Sequence, residues 1–204
     1  MAEAEVELQQ IGTYPITHLL KHSSAIDMYL GKQRKKDIVI KVFHAPLHML
    51  EAKEAFLTRA KQLKKLKHRH IVEILDYGLT LLKDQEDEKG YLVLQYVSGA
   101  SLLRQSLSEH VLSPDEVKRR LSPLATALHY AHVNQVLHGN LHPGNLLLGA
   151  NNDILLSDFA MPWQSVDTGQ DQAYLALPYM APEQLRGELS PASDQYALAV
   201  MTYE

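Results

Sequence analysis

The string VLHGNLHPGNLLL (Val136–Leu148), followed by SDFA at Ser157–Ala160 and YMAPEQL at Tyr179–Leu185, decides how the rest of the chain is read. A polar loop carrying His138, Asn140, His142 and Asn145 sits between two short apolar runs, Val136–Leu137 and Leu146–Leu148. A third run, Ile154–Leu156, follows the turn Asn151-Asn152-Asp153 and ends next to Asp158. All three have the length and composition of brief strands.

Downstream, SDQYALAV (Ser193–Val200) lies in a segment from Ser190 to Glu204 that begins as a helix and stops without a cap, a glycine or a polar tail. A helix this apolar needs partners, so the sequence reads as cut short at its C-terminus. Upstream, Ser113-Pro114-Asp115-Glu116 supplies an N-cap, a proline at the first helical position and a capping-box glutamate. Val117, Leu121, Leu124 and Leu128 carry that helix toward His132, with Pro123 as a potential kink. Ser98-Gly99 marks a break, placed here as a lobe boundary.

Before the break the pattern changes period. Tyr14–Leu20, Ile26–Leu30 and Ile38–Phe43 read as strands, and Glu51–Lys67 as a helix with Phe56, Ala60, Leu63 and Leu66 on its apolar stripe. Ile71–Leu82 and Tyr91–Val97 read as two more strands, joined by the charged turn KDQEDEKG. The organisation expected is a tail over 1–13, one lobe over 14–97 and a second over 98–204.

Composition adds exclusions. Of 204 residues, 46% are hydrophobic and 22% charged, which is a globular balance. The net charge of −4 gives no pull toward nucleic acid or anionic membrane. With no cysteine, thiol catalysis, disulfides and Cys-ligated zinc are excluded. The acidic, polar start MAEAEVELQQ has no apolar core of a secretory signal, and no apolar run reaches membrane-spanning length. A soluble cytoplasmic protein is the expectation. The basic run Arg59–His70 fits a solvated helix face better than a nucleic-acid site. The pairs His129/His132 and His138/His142 have metal-ligand spacing on paper, but a zinc site is not favoured.

The local strings resemble, in order and separation, those of the Ser/Thr protein kinases, the bacterial branch above all. Ile38-Val39-Ile40-Lys41 resembles the Val-Ala-Ile-Lys strand. His138-Gly139-Asn140 with Asn145 resembles the catalytic loop His-Arg-Asp-x-x-x-x-Asn. Asp158-Phe159-Ala160 resembles Asp-Phe-Gly, and Ala181-Pro182-Glu183 matches Ala-Pro-Glu. The resemblance covers about Tyr14 to Glu204. It implies a bilobal α+β kinase fold: a small antiparallel five-stranded lobe with one helix, a hinge near Gln95–Ser98, and a mostly helical lobe, here incomplete. It also implies ATP and Mg as cofactors and a protein as substrate or partner.

Mapped residue by residue, the resemblance shows what has been lost. The phosphate-covering loop corresponds to Leu19–Ile26, leading into Met28–Gly31, and lacks the glycines that let backbone N–H groups approach a phosphate. Lys41 stands where the family's lysine holds the phosphates, although a strand lysine reaching solvent fits equally well. Its helix partner, normally Glu, falls on Arg59. Val39 replaces the alanine above the adenine, with Leu94 and Leu147 as the other base-contacting positions. Asn140 replaces the aspartate that accepts the substrate's proton, and an amide has no useful basicity. His142 replaces the lysine that steadies the transferred phosphate.

Asn145 and Asp158 are retained at the metal-holding positions, although each also has a structural reading as a turn cap or strand-end acceptor. Leu63, His138 and Phe159 match a hydrophobic spine, and Asp194 matches the aspartate that braces the catalytic loop. Glu183 normally pairs with an arginine further along; without it, a buried unpaired carboxylate is expected, at a cost of several kcal/mol. Gly139 stands where an arginine would read a phosphorylated activation segment, and Ser165 and Thr168 are the hydroxyls expected to remain there.

The reading reached from sequence is a pseudokinase that signals through binding and scaffolding, with ATP and Mg both in question. The alternative is a slow Ser/Thr phosphotransferase using Lys41, Asn145 and Asp158, its base role unfilled or moved. A third reading is an inactive gene fragment.

Overall fold

The computed structural model describes residues 10–45, 47–82, 86–99, 101–102, 113–149, 153–162 and 176–203. Ser165, Thr168 and the turn residues Asn151 and Asn152 lie outside them. The chain forms two compact units. One holds the described residues up to Lys65 together with Glu73–Tyr96; the other holds Leu66–Val72 and the described residues from Val97 onward.

The first unit is built on strands β1 (Gln10–Ile11), β2 (Tyr14–His22), β3 (Ile26–Gln33), β4 (Lys36–Phe43), β5 (Ile74–Leu81) and β6 (Glu88–Gln95). They form one antiparallel sheet in the order β1-β2-β3-β4-β6-β5. Strand β4 shows why. Ile38, Ile40 and Val42 alternate along it and are fully buried, so one face of a central strand is committed to the core. Around them close Ile11, Tyr14, Tyr29, Tyr91 and Val93. The sheet has six strands where five were expected. Gly12, at φ +56°, turns the chain so that Ile11 pairs with Tyr14 and is fully buried. A Cβ at Gly12 would lie 2.5 Å from the Tyr91 hydroxyl, so the turn needs glycine.

Helix α1 (Leu50–Lys64) packs Phe56, Ala60 and Leu63 at helical spacing, with the Phe56 ring 5.9 Å from Phe43. It ends three residues before the expected Lys67, and Leu66 belongs to the second unit. Lys53 pairs with Glu88 at 2.7 Å near its start. At its end Lys64 pairs with Asp76 at 2.8 Å, and the Tyr14 hydroxyl donates to the same carboxylate at 2.6 Å. Burial opposes ionisation of Asp76, but these two bonds hold its carboxyl below the usual range. Burial and the same contact push Tyr14 up to about 12.

In the second unit, β7 (Ser101–Leu102), β8 (Leu146–Leu148) and β9 (Ile154–Leu156) form a small antiparallel sheet. Helix α2 (Pro114–Val133) opens with a complete capping box, Ser113 and Glu116 each satisfying the other's backbone. It runs through Pro123 as a single helix. Val136–Leu137 is not the strand expected. The Val136 N–H bonds the Ala131 carbonyl and the Gln135 N–H bonds that of His132, with Gln135 at φ +60°. This is a Schellman closure of α2, which spends the amide a strand would have used. Helix α3 (Pro191–Tyr203) buries Ser193, Asp194 and Ala197. Among the described residues no helix is long and apolar enough to cross a membrane.

Candidate functional site

In the first unit, Lys41 lies on β4 opposite Leu92 and is 5% exposed. The solvent-reaching reading of this lysine is therefore overturned: the side chain is buried. Val39 is half-buried and pairs with the buried Leu94 across β4 and β6. Arg59 is half-buried on α1, one residue from the fully buried Ala60, whereas Glu54 is exposed on the same helix. Leu63 is buried.

The β2–β3 connection is a closed hairpin tip. The Ser23 N–H donates to the Ile26 carbonyl at 3.0 Å, and the Ile26 N–H donates to the Ser23 hydroxyl at 3.1 Å. Asp27 takes His22 at 2.6 Å and His44 at 3.0 Å. The Ser23 and Ile26 amides are thus committed within the chain, and this tip does not fit the open backbone cradle that a phosphate requires.

In the second unit the loop at 138–140 is fastened completely. Asp194, 1% exposed, accepts the His138 N–H with Oδ2 and the Gly139 N–H with Oδ1, each at 2.8 Å. The His138 carbonyl accepts from the Ala160 N–H at 2.7 Å. The Gly139 carbonyl accepts from Gln184 Nε2 at 3.2 Å. The Asn140 N–H donates to His138 Nδ1 at 3.3 Å, and the Asn140 carbonyl accepts from Asn145 Nδ2 at 2.7 Å. All six backbone polar groups of three consecutive residues are satisfied, each by the chain itself.

This accounting fixes the chemistry of several side chains. His138 is fully buried, accepts at Nδ1 and donates from Nε2 to the Ser157 carbonyl at 3.0 Å, which is the neutral ring. Its ring lies 4.4 Å from that of Phe159. His142 is buried, and its Nδ1 accepts from the Gly144 N–H at 3.2 Å. A neutral His142 with this bond carries its proton on Nε2. Asn145 spends an amide N–H on the Asn140 carbonyl. Asp158 is half-buried with φ +59°, a conformation sparsely used by non-glycine residues. Asn145 Oδ1 and the Asp158 carboxylate are oxygen donors of the kind that suits magnesium. Leu147 is half-buried on β8, paired with Leu155.

Glu183 corrects the sequence expectation. Rather than a buried, unpaired carboxylate, it is partly exposed and accepts from the Ser193 hydroxyl at 2.7 Å. That bond, helped by a backbone N–H, holds its carboxyl below the usual range. Ser193→Ala is expected to move the Glu183 titration up toward the ordinary value, as followed by carboxyl-carbon NMR. An unchanged titration would show that Ser193 does not hold the charge.

Two contributors were missed in the sequence. In the sequence His132 has metal-ligand spacing with His129. It instead donates Nε2 to Asp194 Oδ2 at 2.8 Å, while His129 is exposed. Gln184 carried no signal beyond its place after Ala-Pro-Glu. Among the described residues no group of His, Cys, Asp and Glu is arranged to hold a metal ion by itself.

A sheet-and-helix unit, a mostly helical unit and a fastened loop of this kind define a protein kinase domain. The family model for the protein kinase domain matches residues 22–204, and the chain belongs to that family. It is 29% identical over 204 residues to a probable serine/threonine-protein kinase, MARK-C, of Dictyostelium discoideum, covering 96% of this chain and 26% of that one. It is 27% identical over 200 residues to serine/threonine-protein kinase PrkC of Bacillus subtilis, covering 95% and 30%. The chain thus spans about a third or less of these relatives' length. The crystal structure of the Mycobacterium tuberculosis PknI kinase domain superposes with a TM-score of 0.74 at 26% identity, covering 95% of this chain and 73% of that one.

Proposed function

We propose that this kinase domain is a pseudokinase, acting in cytoplasmic signalling as a binding and scaffolding module for a protein partner, with phosphoryl transfer lost or vestigial. The observation that carries this reading is the contrast within the loop. Six backbone bonds hold residues 138–140 in place, yet the side chain presented at the base position, Asn140, cannot take a proton. The closed tip at Ser23 and the cation at Arg59 support the same conclusion for ATP. A slow Ser/Thr kinase is the second reading, favoured by the buried Lys41 and by Asn145 and Asp158.

Thermal unfolding with and without Mg-ATP separates the two. The scaffold reading expects one cooperative transition that Mg-ATP leaves in place. A site filled at 100 times its dissociation constant would add about 2.7 kcal/mol, and such an upward shift would sink this reading in favour of the second. Capture of the partner is expected to survive Lys41→Ala.

A further inference from the structure

Gly139 holds a conformation and a space that favour glycine. Its φ is +71°, and a Cβ there would lie 2.8 Å from Leu189 Cδ2 and 3.1 Å from Ala160 Cβ. Leu189, though 40% exposed, covers the space through which a side chain at 139 would leave the loop. Beside it, Gln184 makes two bonds of opposite sense. Its Nε2 donates to the Gly139 carbonyl and its Oε1 accepts from the Ala181 N–H, each at 3.2 Å. Only one orientation of the amide satisfies both, so the pair of bonds also fixes the side chain. Around this junction, Ser193 holds Glu183, and Asp194, braced by His132, holds the amides of His138 and Gly139.

We propose that Gln184 is a positioning residue, a neutral clamp that ties the Gly139 carbonyl to the Ala181 amide and keeps the 138–140 loop joined to the Ala181–Glu183 segment without any phosphate. The clamp goes beyond the pseudokinase reading and holds whether or not the chain transfers phosphate.

The test uses the 204-residue chain, isotope-labelled, with Gln184→Glu and Gln184→Ala. A glutamate at 184 can still accept from Ala181, but it donates to Gly139 only when protonated. The pH profile of the Gly139 carbonyl-carbon shift in the parent chain is the reference, carrying whatever its neighbours Glu183, Asp194 and His132 contribute in every variant alike. In Gln184→Glu it is displaced at neutral pH and returns toward the parent value on acidification. Gln184→Ala is displaced throughout, with Ala181 amide exchange about fivefold faster. General loosening does not produce a pH-dependent return confined to the glutamate variant. A Gly139 signal in Gln184→Glu that follows the parent at every pH overturns the clamp. So does a parent chain whose Gly139 and Ala181 signals move after phosphatase treatment.

Discussion

On the second reading, a slow Ser/Thr kinase, Asn140→Asp combined with Arg59→Glu is expected to raise phosphoryl transfer to a generic Ser/Thr substrate by about 10²- to 10⁴-fold over the parent chain. The first change restores a proton acceptor and is nearly isosteric. The loop should tolerate it, because all six backbone bonds of residues 138–140 are made without the Asn140 side chain. The second change places a carboxylate on the α1 position that the family resemblance assigns to the lysine's partner, in place of the cation of Arg59. The background is set by adding Lys41→Ala to the same double variant. If the double variant transfers no more phosphate than that control, the losses have been assigned to the wrong residues. Because phosphoryl transfer places modest demands on a base, Asn140→Asp alone is expected to fall short of the pair.

Asp194→Asn is the second large effect, and it acts on stability. Asp194 Oδ2 receives both the His138 N–H and His132 Nε2, and Oδ1 receives the Gly139 N–H. An amide in that buried position must turn an NH₂ toward at least one of these donors. Breaking a buried charged network from one side typically costs about 3–5 kcal/mol, and a loss of that size is expected in urea unfolding. A loss below about 1 kcal/mol would show that the loop does not depend on this carboxylate. His132→Ala alone should cost less, since the two backbone donors remain, and a double-mutant cycle between 132 and 194 isolates the imidazole's share.

The fold was legible because its signals are local. The alternation Ile38/Ile40/Val42, the capping box at Ser113–Glu116 and the motif order from Lys41 to Glu183 can each be seen in a few consecutive residues. What escaped was set by distant neighbours or by backbone accounting. Val136–Leu137 has the composition of a strand, but the closure of α2 had first claim on the Val136 amide. Gln10–Ile11 looked like part of a tail because nothing local reveals that Tyr14 and Tyr91 provide a place to bury Ile11. The candidate site followed the same rule. Substitutions at 140, 142 and 59 are plain in the letters, whereas the partners of Glu183 and Asp194 are Ser193 and His132, residue types that carry no distinctive pattern.

The division of the chain into its two units has a consequence for how the domain must be made. Leu66–Val72 is counted with the second unit although the chain returns to the first for Glu73–Tyr96. The segment is held there by backbone bonds from Val72 to Leu156 and from Leu156 to His70, and by His70 Nδ1 donating to the Ile154 carbonyl at 2.9 Å. The second unit is therefore discontinuous, and its three-stranded sheet waits on a segment synthesised more than eighty residues earlier. Such long-range closure slows folding of the second unit. A gene cut at the lobe boundary would separate β9 from the chain that completes its edge, so the second lobe is not an independently inheritable part.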